Sequence, residues 1–232
     1  MLVEIWSDVV CPWCYIGKRR FEAALALFDH DTEVEVRWRS FELDPAAPPE
    51  REGAYVERLA KKYRVPVAEA QAMIDHMTAS ASDEGLGFRF ELARPGNTFD
   101  AHRLLHLAQR GGLQDAMKER LLAATFTEGQ PIGDHETLVT LAVDVGLDAD
   151  AVRRMLASDE VAAEVRADEE RAVDLGITAV PFFVFDKRFG LSGAQQPRHL
   201  AKALATAWRE AHPLTSLGEP GDGACEGDSC AV

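Results

Sequence analysis

The first 43 residues change hydrophobic period twice, and these changes predict a strand, a helix and a second strand. Residues 2–7 form a short apolar run that is typical of a buried strand. From 12 to 28, apolar side chains recur at helical spacing. Residues 33–43, EVEVRWRSFEL, then alternate charged and apolar positions with a period near two. Cys11 and Cys14 stand at the start of the predicted helix, so the order is β-CxxC-α-β.

After residue 43 the chain changes to helical patterns that are separated by glycine and proline. A proline-rich connection, DPAAPPE, precedes them, and GFRFEL at 87–92 is the one stretch in this part that could be extended. The predicted helices are 53–63, 67–82, 98–110, 113–127, 135–145 and 149–157. We find no internal repeat and no strong strand signal here, so we expect a large all-helical insertion.

The last third of the chain returns to a mixed pattern. Ser158 is the predicted N-cap of a helix that ends at Leu175, followed by Gly176 at C′. Two short apolar runs, 182–185 and 189–192, flank a turn and predict a hairpin. Residues 197–212 form a last amphipathic helix, and the sequence after them is rich in Gly, Asp and Glu.

Together these elements predict an α/β protein with a thioredoxin-like fold that is split by a large all-helical insertion. Residues 1–48 and 158–212 would form the thioredoxin-like domain, and residues 49–157 would form the helical insertion domain. Residues 213–232 would be a flexible acidic tail that carries a CxxxxC motif.

Composition narrows the function classes. The formal net charge of −14 over 232 residues argues against a phosphate-binding surface, so we expect no nucleic-acid partner. We find no apolar run long enough to span a membrane and no secretory leader, since Glu4 interrupts the only candidate. We therefore expect a cytoplasmic protein. Structural disulfides are rare in the cytosol, so a CxxC pair there is redox-active or binds a metal.

The CPWC motif favours disulfide exchange. A thiol at a helix N-terminus is favoured as thiolate, so Cys11 would be the nucleophile and Cys14, one turn later, the resolving thiol. Pro12 suits the first helical position, and Trp13 would face a partner. The alternative is half of a zinc site, which needs two more ligands. His102 and His106 are spaced for ligation, but we interpret them as ordinary helix residues and predict no metal.

Two further residues could support this chemistry. In thioredoxin-like proteins a cis-proline precedes a strand and faces the CxxC, and Pro181 in AVPFF stands at that place. The backbone of Val180 could then pair with an extended substrate, although a trans proline at an edge strand is the alternative. Glu4 could be a buried carboxylate with a raised pKa that relays the proton of Cys14, or a glutamate that faces water.

Four segments carry a resemblance to a known family: SDVVCPWCYIGKRRFEAAL, NTFDAHRLLHLA, EGQPIGDHETL and GITAVPFFVFDKRFGLSGAQ. They resemble the DsbA family of thioredoxin-like oxidoreductases. The match is to its FrnE-like branch, which is related to 2-hydroxychromene-2-carboxylate isomerases and kappa-class glutathione transferases. The resemblance implies a thiol-disulfide oxidoreductase or disulfide isomerase with Cys11, Cys14 and Pro181 in the site. It also implies a redox-active disulfide and no tightly bound cofactor, and it leaves open a link to polyketide biosynthesis.

The resemblance leaves alternatives for substrate and class. Substrates would be protein or small-molecule thiols and disulfides, with glutathione as a co-substrate, and the chain would be a monomer or a homodimer. A glutathione-dependent isomerase or transferase of an aromatic compound is one alternative. Such relatives carry serine at the reactive site, whereas this chain has both cysteines. Asn97 matches a segment that helps line their glutathione site, but we favour a helix N-cap. A metal-binding or chaperone-like module is the non-enzyme alternative.

Cys225 and Cys230 form a second pair in the acidic tail. They are either inert or an auxiliary redox or soft-metal pair, which FrnE-like proteins can carry. Asp222, Glu226 and Asp228 surround the pair and should raise the pKa values of its thiols. Because thiols of higher pKa make a more reducing dithiol, our hypothesis is that electrons flow from the tail pair to the Cys11–Cys14 disulfide.

Overall fold

The structure, a computed structural model, describes residues 1–213. The predicted tail pair, Cys225 and Cys230, lies outside the described residues. The helices and strands are β1 (Leu2–Ser7), α1 (Pro12–Leu25), β2 (Glu35–Ser40), α2 (Tyr55–Tyr63), α3 (Val67–Ser82), α4 (Phe99–Arg110), α5 (Gln114–Ala123), α6 (His135–Asp144), α7 (Ala149–Leu156), α8 (Ala162–Asp174), β3 (Phe182–Phe185), β4 (Phe189–Ser192) and α9 (Pro197–Ala211).

The four strands form one mixed sheet in the order β2-β1-β3-β4. β1 pairs in parallel with β2, with Leu2 opposite Glu35, and antiparallel with β3, with Val3 opposite Phe185. β3 and β4 form the predicted hairpin. Because β1 lies between two strands, its C-terminal end delivers the CxxC segment to the middle of the sheet rather than to an edge.

Alternation along β1 and β3 sends apolar side chains to both faces of the sheet. On one face, side chains of Val3, Ile5 and Phe183 pack against α1 and α9. On the other face, Trp6 and Val184 pack against the end of α8. This packing fixes α1, and the cysteines at its N-terminus, above the sheet.

Helices α2–α7 form an insertion between β2 and α8. α4–α7 share one apolar core. A second core joins α3 to Tyr15 and Ile16 of α1 through an aromatic cluster made of Tyr15, Tyr55, Phe88, Phe90 and Phe126. The helical insertion therefore packs directly against the helix that carries the CxxC. These observations confirm the predicted α/β thioredoxin-like fold with a large helical insertion.

Several predicted boundaries are wrong at the ends. α1 ends at Leu25 rather than residue 28, and β2 is shorter than residues 33–43. The predicted helix 113–127 divides into α5 and a π-helical turn at Ala124–Glu128. Residues 87–92 form no strand, because Phe88 and Phe90 turn into the aromatic cluster instead.

The predicted start of α8 at Ser158 is also wrong. Ser158 Oγ donates to Met155 O, and the Arg103 guanidinium of α4 donates to the carbonyl oxygens of Ser158 and Glu160. These contacts tie Ser158 to the end of α7, and the chain turns through a left-handed Val161 before α8 begins. The predicted hairpin strands and the 67–82 helix are confirmed at both ends. No helix among residues 1–213 is long and apolar enough to cross a membrane.

Candidate active site

The two cysteines occupy the first turn of α1. Cys11 is the N-cap residue in an extended conformation, Pro12 follows at the first helical position, and Cys14 N donates to Cys11 O at 3.0 Å. Both are free thiols. Cys11 is 5% exposed and Cys14 is fully buried. Cys11 is therefore the sulfur that a substrate can reach, and Cys14 lies behind it.

The segment before β3 closes over these thiols. The peptide bond between Val180 and Pro181 is cis, and the Cys11 thiol donates to Val180 O at 3.7 Å. The approach of α1 to this segment depends on Gly17, because a Cβ there would lie 2.9 Å from Pro181 Cγ. The structure thus brings Cys11, Cys14, Val180 and Pro181 together.

Trp13 has a more structural position than the sequence suggests. Its side chain is half-buried, and its ring centroid lies 5.9 Å from that of His76 on α3. It packs at the edge of the core that contains the aromatic cluster. Trp13 therefore helps to join α1 to the helical insertion and presents only part of its surface beside Cys11.

Lys118 is a site residue that sequence reasoning missed. It lies on α5 of the helical insertion, it is fully buried, and its Nζ donates to Ser7 O at 3.2 Å. Its charge acts on Cys14, Asp8 and Cys11. A signal existed in the sequence: α5 buries Gln114, Met117, Leu121 and Leu122, and Lys118 occupies the same face at helical spacing. A lysine on an apolar face is unusual enough to mark the position.

Asp8 and His102 form a second buried layer next to Lys118. Asp8 Oδ1 lies 3.3 Å from His102 Nε2, and Asp8 Oδ2 accepts a hydrogen bond from Leu43 N at 2.8 Å. Burial alone would raise the pKa of Asp8, but its hydrogen bonds with His102 and Leu43 and the charge of Lys118 hold this pKa below its usual value. Asp8 is therefore an anion next to the active-site thiols.

The two thiols influence each other, and their pKa values move apart. The hydrogen bond to Cys14, with burial, raises the pKa of Cys11 well above its usual value. Burial would also raise the pKa of Cys14, but the hydrogen bond from Cys11 and the charge of Lys118 hold it below the usual value. The lowered pKa of Cys14 and the raised pKa of Cys11 therefore favour the first negative charge on the buried sulfur, within a coupled pair. The position of Cys11 at the helix N-terminus, from which we predicted a thiolate there, does not alone decide which of the two sulfurs carries the negative charge.

Burial lowers the pKa of Lys118 to about 8, against the opposing effect of negative charge at Cys14, Asp8 and Cys11. The ammonium is thus still the main form at neutral pH, but it loses its proton in the range where thiols ionise. The hydroxyl of Ser7 is buried beside Cys14 and makes no hydrogen bond of good geometry among the described residues. It is a free donor for a thiolate at that position.

Glu4 does not contact the cysteines. Glu4 is fully buried on β1, as the interpretation of a buried carboxylate requires. Its partners, however, are arginines: Arg39 Nη2 lies 2.5 Å from Glu4 Oε1, and Arg171 Nη2 lies 3.0 Å from Glu4 Oε2. Both carboxylate oxygens are therefore neutralised by arginines on β2 and α8. The predicted role of Glu4 as proton relay is not supported, because Asp8 and Lys118 occupy the place next to Cys14.

The other candidate side chains have local partners. His106 Nε2 lies 3.1 Å from Asp168 Oδ2 of α8, so His106 and His102 each tie α4 to a buried carboxylate. Asn97 Oδ1 accepts from Phe99 N at 2.9 Å and caps the first turn of α4 from one residue before Thr98. Within residues 1–213, no group of three or more His, Cys, Asp or Glu side chains could hold a metal ion.

A cavity of about 280 Å³ is lined in part by Val10, the residue before Cys11. Tyr55 also lines it, and Arg51, Arg58 and Lys62 bring positive charge to it, against the carboxylates of Asp8 and Asp44. Arg51 is paired with Asp44, whereas Arg58 donates to backbone carbonyl oxygens. Burial and the nearby Cys11 raise the pKa of Tyr55 well above its usual value, so its hydroxyl stays protonated. Three basic and two acidic side chains therefore leave the cavity with a small excess of positive charge, in a protein of strongly negative net charge.

Comparisons with known proteins agree with this geometry. A probable DsbA oxidoreductase from Streptomyces coelicolor is 46% identical, with a TM-score of 0.87 over 100% of this chain and 99% of that one. The uncharacterized protein YwbO of Bacillus subtilis is 32% identical over 78% of this chain and 85% of its own length. The cytosolic disulfide reductase DsbM from Pseudomonas aeruginosa, solved with GSH, has the same fold at 19% identity, with a TM-score of 0.64 over 90% of this chain and 100% of that one.

The DSBA-like thioredoxin domain matches residues 2–205, which include both parts of the sheet, the helical insertion and all the active-site residues described above. The CPWC segment at the start of α1 and the cis peptide bond before β3 both lie within this match. The chain therefore belongs to the DsbA-like thioredoxin domain family of oxidoreductases.

Proposed function

We propose that this protein is a thiol-disulfide oxidoreductase that reduces or isomerises disulfides through Cys11 and Cys14. One observation carries the proposal: a barely exposed thiol and a buried thiol lie in one helix turn, with the cis Val180–Pro181 bond against the outer sulfur. Disulfide exchange needs this arrangement, because the first sulfur must meet a substrate and the second must reach only the first.

The reaction follows in two displacements. The Cys11 thiolate attacks one sulfur of a substrate disulfide, the substrate S–S bond breaks, and one substrate thiolate leaves and takes a proton from water. The Cys14 thiolate then attacks Cys11 Sγ, the mixed disulfide breaks, and the second substrate thiolate leaves. The substrate gains two electrons and two protons, and the enzyme gains the Cys11–Cys14 disulfide. The reverse sequence oxidises a dithiol.

The segment before Pro181 is suited to hold an extended substrate. Thr178 and Ala179 are exposed, Val180 is half-buried, and none of their backbone N–H groups donates to another backbone group of the described chain. A peptide that adds as a strand here would find free main-chain donors beside Cys11. A cytosolic location, which the sequence predicts, would favour the reductive direction, because the cytosol keeps thiols reduced.

Insulin reduction and refolding of scrambled RNase test the proposal. We expect the wild type to accelerate both and Cys11→Ser to abolish both. Cys14→Ser should accumulate a mixed disulfide with the substrate, because the resolving thiol is gone. Wild-type rates no higher than those of Cys11→Ser would refute the proposed function.

We further propose glutathione as the co-substrate that returns the enzyme disulfide to the dithiol. Its two carboxylates match the cationic side of the cavity and its thiol would reach Cys11, and a related fold has been solved with GSH. Arg58→Gln and Lys62→Gln each remove one cation from the cavity. Each variant should raise the KM for glutathione about tenfold and leave kcat unchanged. Lys61→Gln is the matched control, since it lies on α2 outside the cavity. Equal KM values in all three would place glutathione elsewhere.

The same cavity supports a second candidate, the glutathione-dependent conversion of an aromatic small molecule, because Tyr55 and Leu59 give it an apolar wall. The two candidates differ in what they require of Cys14. Isomerisation or conjugation needs no resolving thiol, so it would survive Cys14→Ser, whereas multiple-turnover disulfide reduction would not.

A further inference from the structure

Lys118 is a buried cation that lies at the end of the strand leading to the CxxC and forms no salt bridge among the described residues. It is fully buried, and no carboxylate oxygen within residues 1–213 forms a salt bridge with it. Its one hydrogen bond is to the carbonyl of Ser7, at the end of the strand that precedes the CxxC. An isolated buried ammonium is costly, so its position in a folded protein calls for a partner.

Lys18 makes the contrast clear. Lys18 is also buried, and its Nζ lies 5.9 Å from the centroid of the Trp38 ring. The Nζ of Lys118, on α5, lies 5.4 Å from the same centroid. Lys18, however, forms salt bridges with Glu22, Asp115 and Glu119. One lysine against this tryptophan is neutralised by three carboxylates, and the other is left to act on the thiols.

We propose that Lys118 is a positioning residue for the resolving step: its ammonium holds the buried Cys14 sulfur as a thiolate while Cys11 is in the mixed disulfide. This inference rests on the proposed function and adds to it a group supplied by the helical insertion. Once Cys11 is bonded to substrate, it can no longer donate its proton to Cys14, so the charge of Lys118 is the main remaining support for that thiolate.

The proton balance of the step is closed within the pair. Cys14 as a thiol beside a neutral amine passes its proton to Lys118, which gives a thiolate beside an ammonium with no change in net charge. The thiolate then forms the bond to Cys11 Sγ, and the electron pair leaves with the substrate sulfur. Lys118 is still protonated when the new disulfide forms. Its proton then passes to the leaving thiolate or to water.

The groups around Lys118 explain why it stays available. The charge of Asp8 supports the ammonium, but both carboxylate oxygens of Asp8 already contact His102 and Leu43 N, so Asp8 forms no salt bridge with the amine. From α1, Cys14 and Cys11 favour the ammonium, and Lys18 opposes it. The pH dependence of the resolving step should therefore follow the coupled titration of Lys118, Asp8, Lys18 and the two thiols.

The test compares Lys118→Met with Lys18→Met, because both remove one buried ammonium beside Trp38. Resolution is measured as release of substrate thiol from a preformed mixed disulfide, and the Cys14 thiolate is titrated by its ultraviolet absorbance in the Cys11→Ser background. In Lys118→Met we expect resolution at neutral pH to slow about tenfold and the Cys14 titration to move upward by about one pKa unit. Because Lys18 disfavours the Lys118 ammonium, Lys18→Met should neither slow resolution nor move the Cys14 titration upward. Lys118→Arg should recover most of the rate.

A purely structural lysine gives a different result. Methionine would then fill the site with equal or greater stability in urea, while the resolution rate and the thiolate titration match the wild type, and this outcome would overturn the proposal. The attack of Cys11 on substrate, measured in Cys14→Ser, separates the two proposals. If Cys14→Ser forms no mixed disulfide, the proposed function fails, whereas the Cys14 titration in Cys11→Ser still judges Lys118.

Discussion

At the scale of single residues, the site depends on how closely α1 approaches the segment with the cis bond. Gly17 lies one turn beyond Cys14, and its missing side chain leaves room for Pro181. In the middle of a helix, glycine is normally less stable than alanine by about 0.5–1 kcal/mol. Its presence here therefore indicates a steric requirement at the active site rather than a need for backbone freedom.

Gly17→Ala should separate the helix from the cis bond. The new Cβ would lie 2.9 Å from Pro181 Cγ, so α1 or the segment at 178–181 must shift. We expect a net loss of about 1–2 kcal/mol in unfolding free energy, because overpacking exceeds the gain in helix propensity. The rate of mixed-disulfide formation should fall about tenfold or more, since Val180 and Cys11 lose their register. Urea unfolding and stopped-flow trapping in Cys14→Ser measure the two effects.

Gly87→Ala is the matched control, because no atom lies within 4 Å of a Cβ there and the backbone has no positive φ. It should leave both quantities close to the wild type. A Gly17→Ala protein with normal trapping kinetics would show that the contact between α1 and Pro181 is not required for substrate attack.

At the scale of elements, α8 and α4 are held to the sheet by buried polar contacts as well as by apolar packing. Asp168 of α8 is the centre: its Oδ1 accepts from Arg39 at 2.9 Å, its Oδ2 accepts from Ser40 N at 3.0 Å, and His106 of α4 lies 3.1 Å away. One carboxylate thus joins α8, β2 and α4, and it links the thioredoxin-like sheet to the helical insertion.

Asp168→Asn should weaken this junction while it keeps the side-chain volume. Arg39 would lose one of its two buried carboxylate partners, and we expect a loss of about 2–3 kcal/mol in unfolding free energy. Glu164→Gln on the same helix removes an exposed salt bridge to Arg110 and should cost no more than about 0.5 kcal/mol. Urea midpoints of the reduced proteins compare the two. Equal midpoints would mean that α8 is held by apolar packing alone.

Sequence patterns were sufficient where an element is determined by its own residues. The hairpin of β3 and β4 and the helix α3 have the predicted ends, because a period and its breakers lie within each segment. The start of α8 was not predictable in this way, because Arg103, more than fifty residues earlier, binds the carbonyl oxygens around Ser158. Cys11, Cys14 and Pro181 came from motifs, whereas Lys118 reaches the site from a distant helix and was visible only as a lysine on an apolar face.

At the scale of the whole molecule, charge is distributed unevenly around the active site. The net charge is −14, yet three basic residues, Arg51, Arg58 and Lys62, line the cavity at Val10 against two acidic ones, Asp8 and Asp44. Residues 213–232 contain four acidic residues and no lysine or arginine. Cys225 lies thirteen positions after His212, a contour length of about 40 Å. The chain therefore carries a cysteine pair with acidic sequence neighbours on the same molecule as the Cys11–Cys14 pair, whose buried thiol is influenced by the positive charge of Lys118.

We propose that the Cys225–Cys230 pair is the more reducing of the two couples and donates electrons to the Cys11–Cys14 disulfide. Acidic neighbours disfavour thiolates, so the tail disulfide should be the more stable one, whereas Lys118 stabilises the reduced active site. The two potentials can be measured separately in Cys11→Ser/Cys14→Ser and Cys225→Ser/Cys230→Ser. We expect the tail couple to be more negative, and Glu226→Gln with Asp228→Asn to reduce the gap by about 10–30 mV. A tail couple that is less reducing than the active-site couple would exclude this direction, because electrons would then flow from Cys11 and Cys14 to the tail.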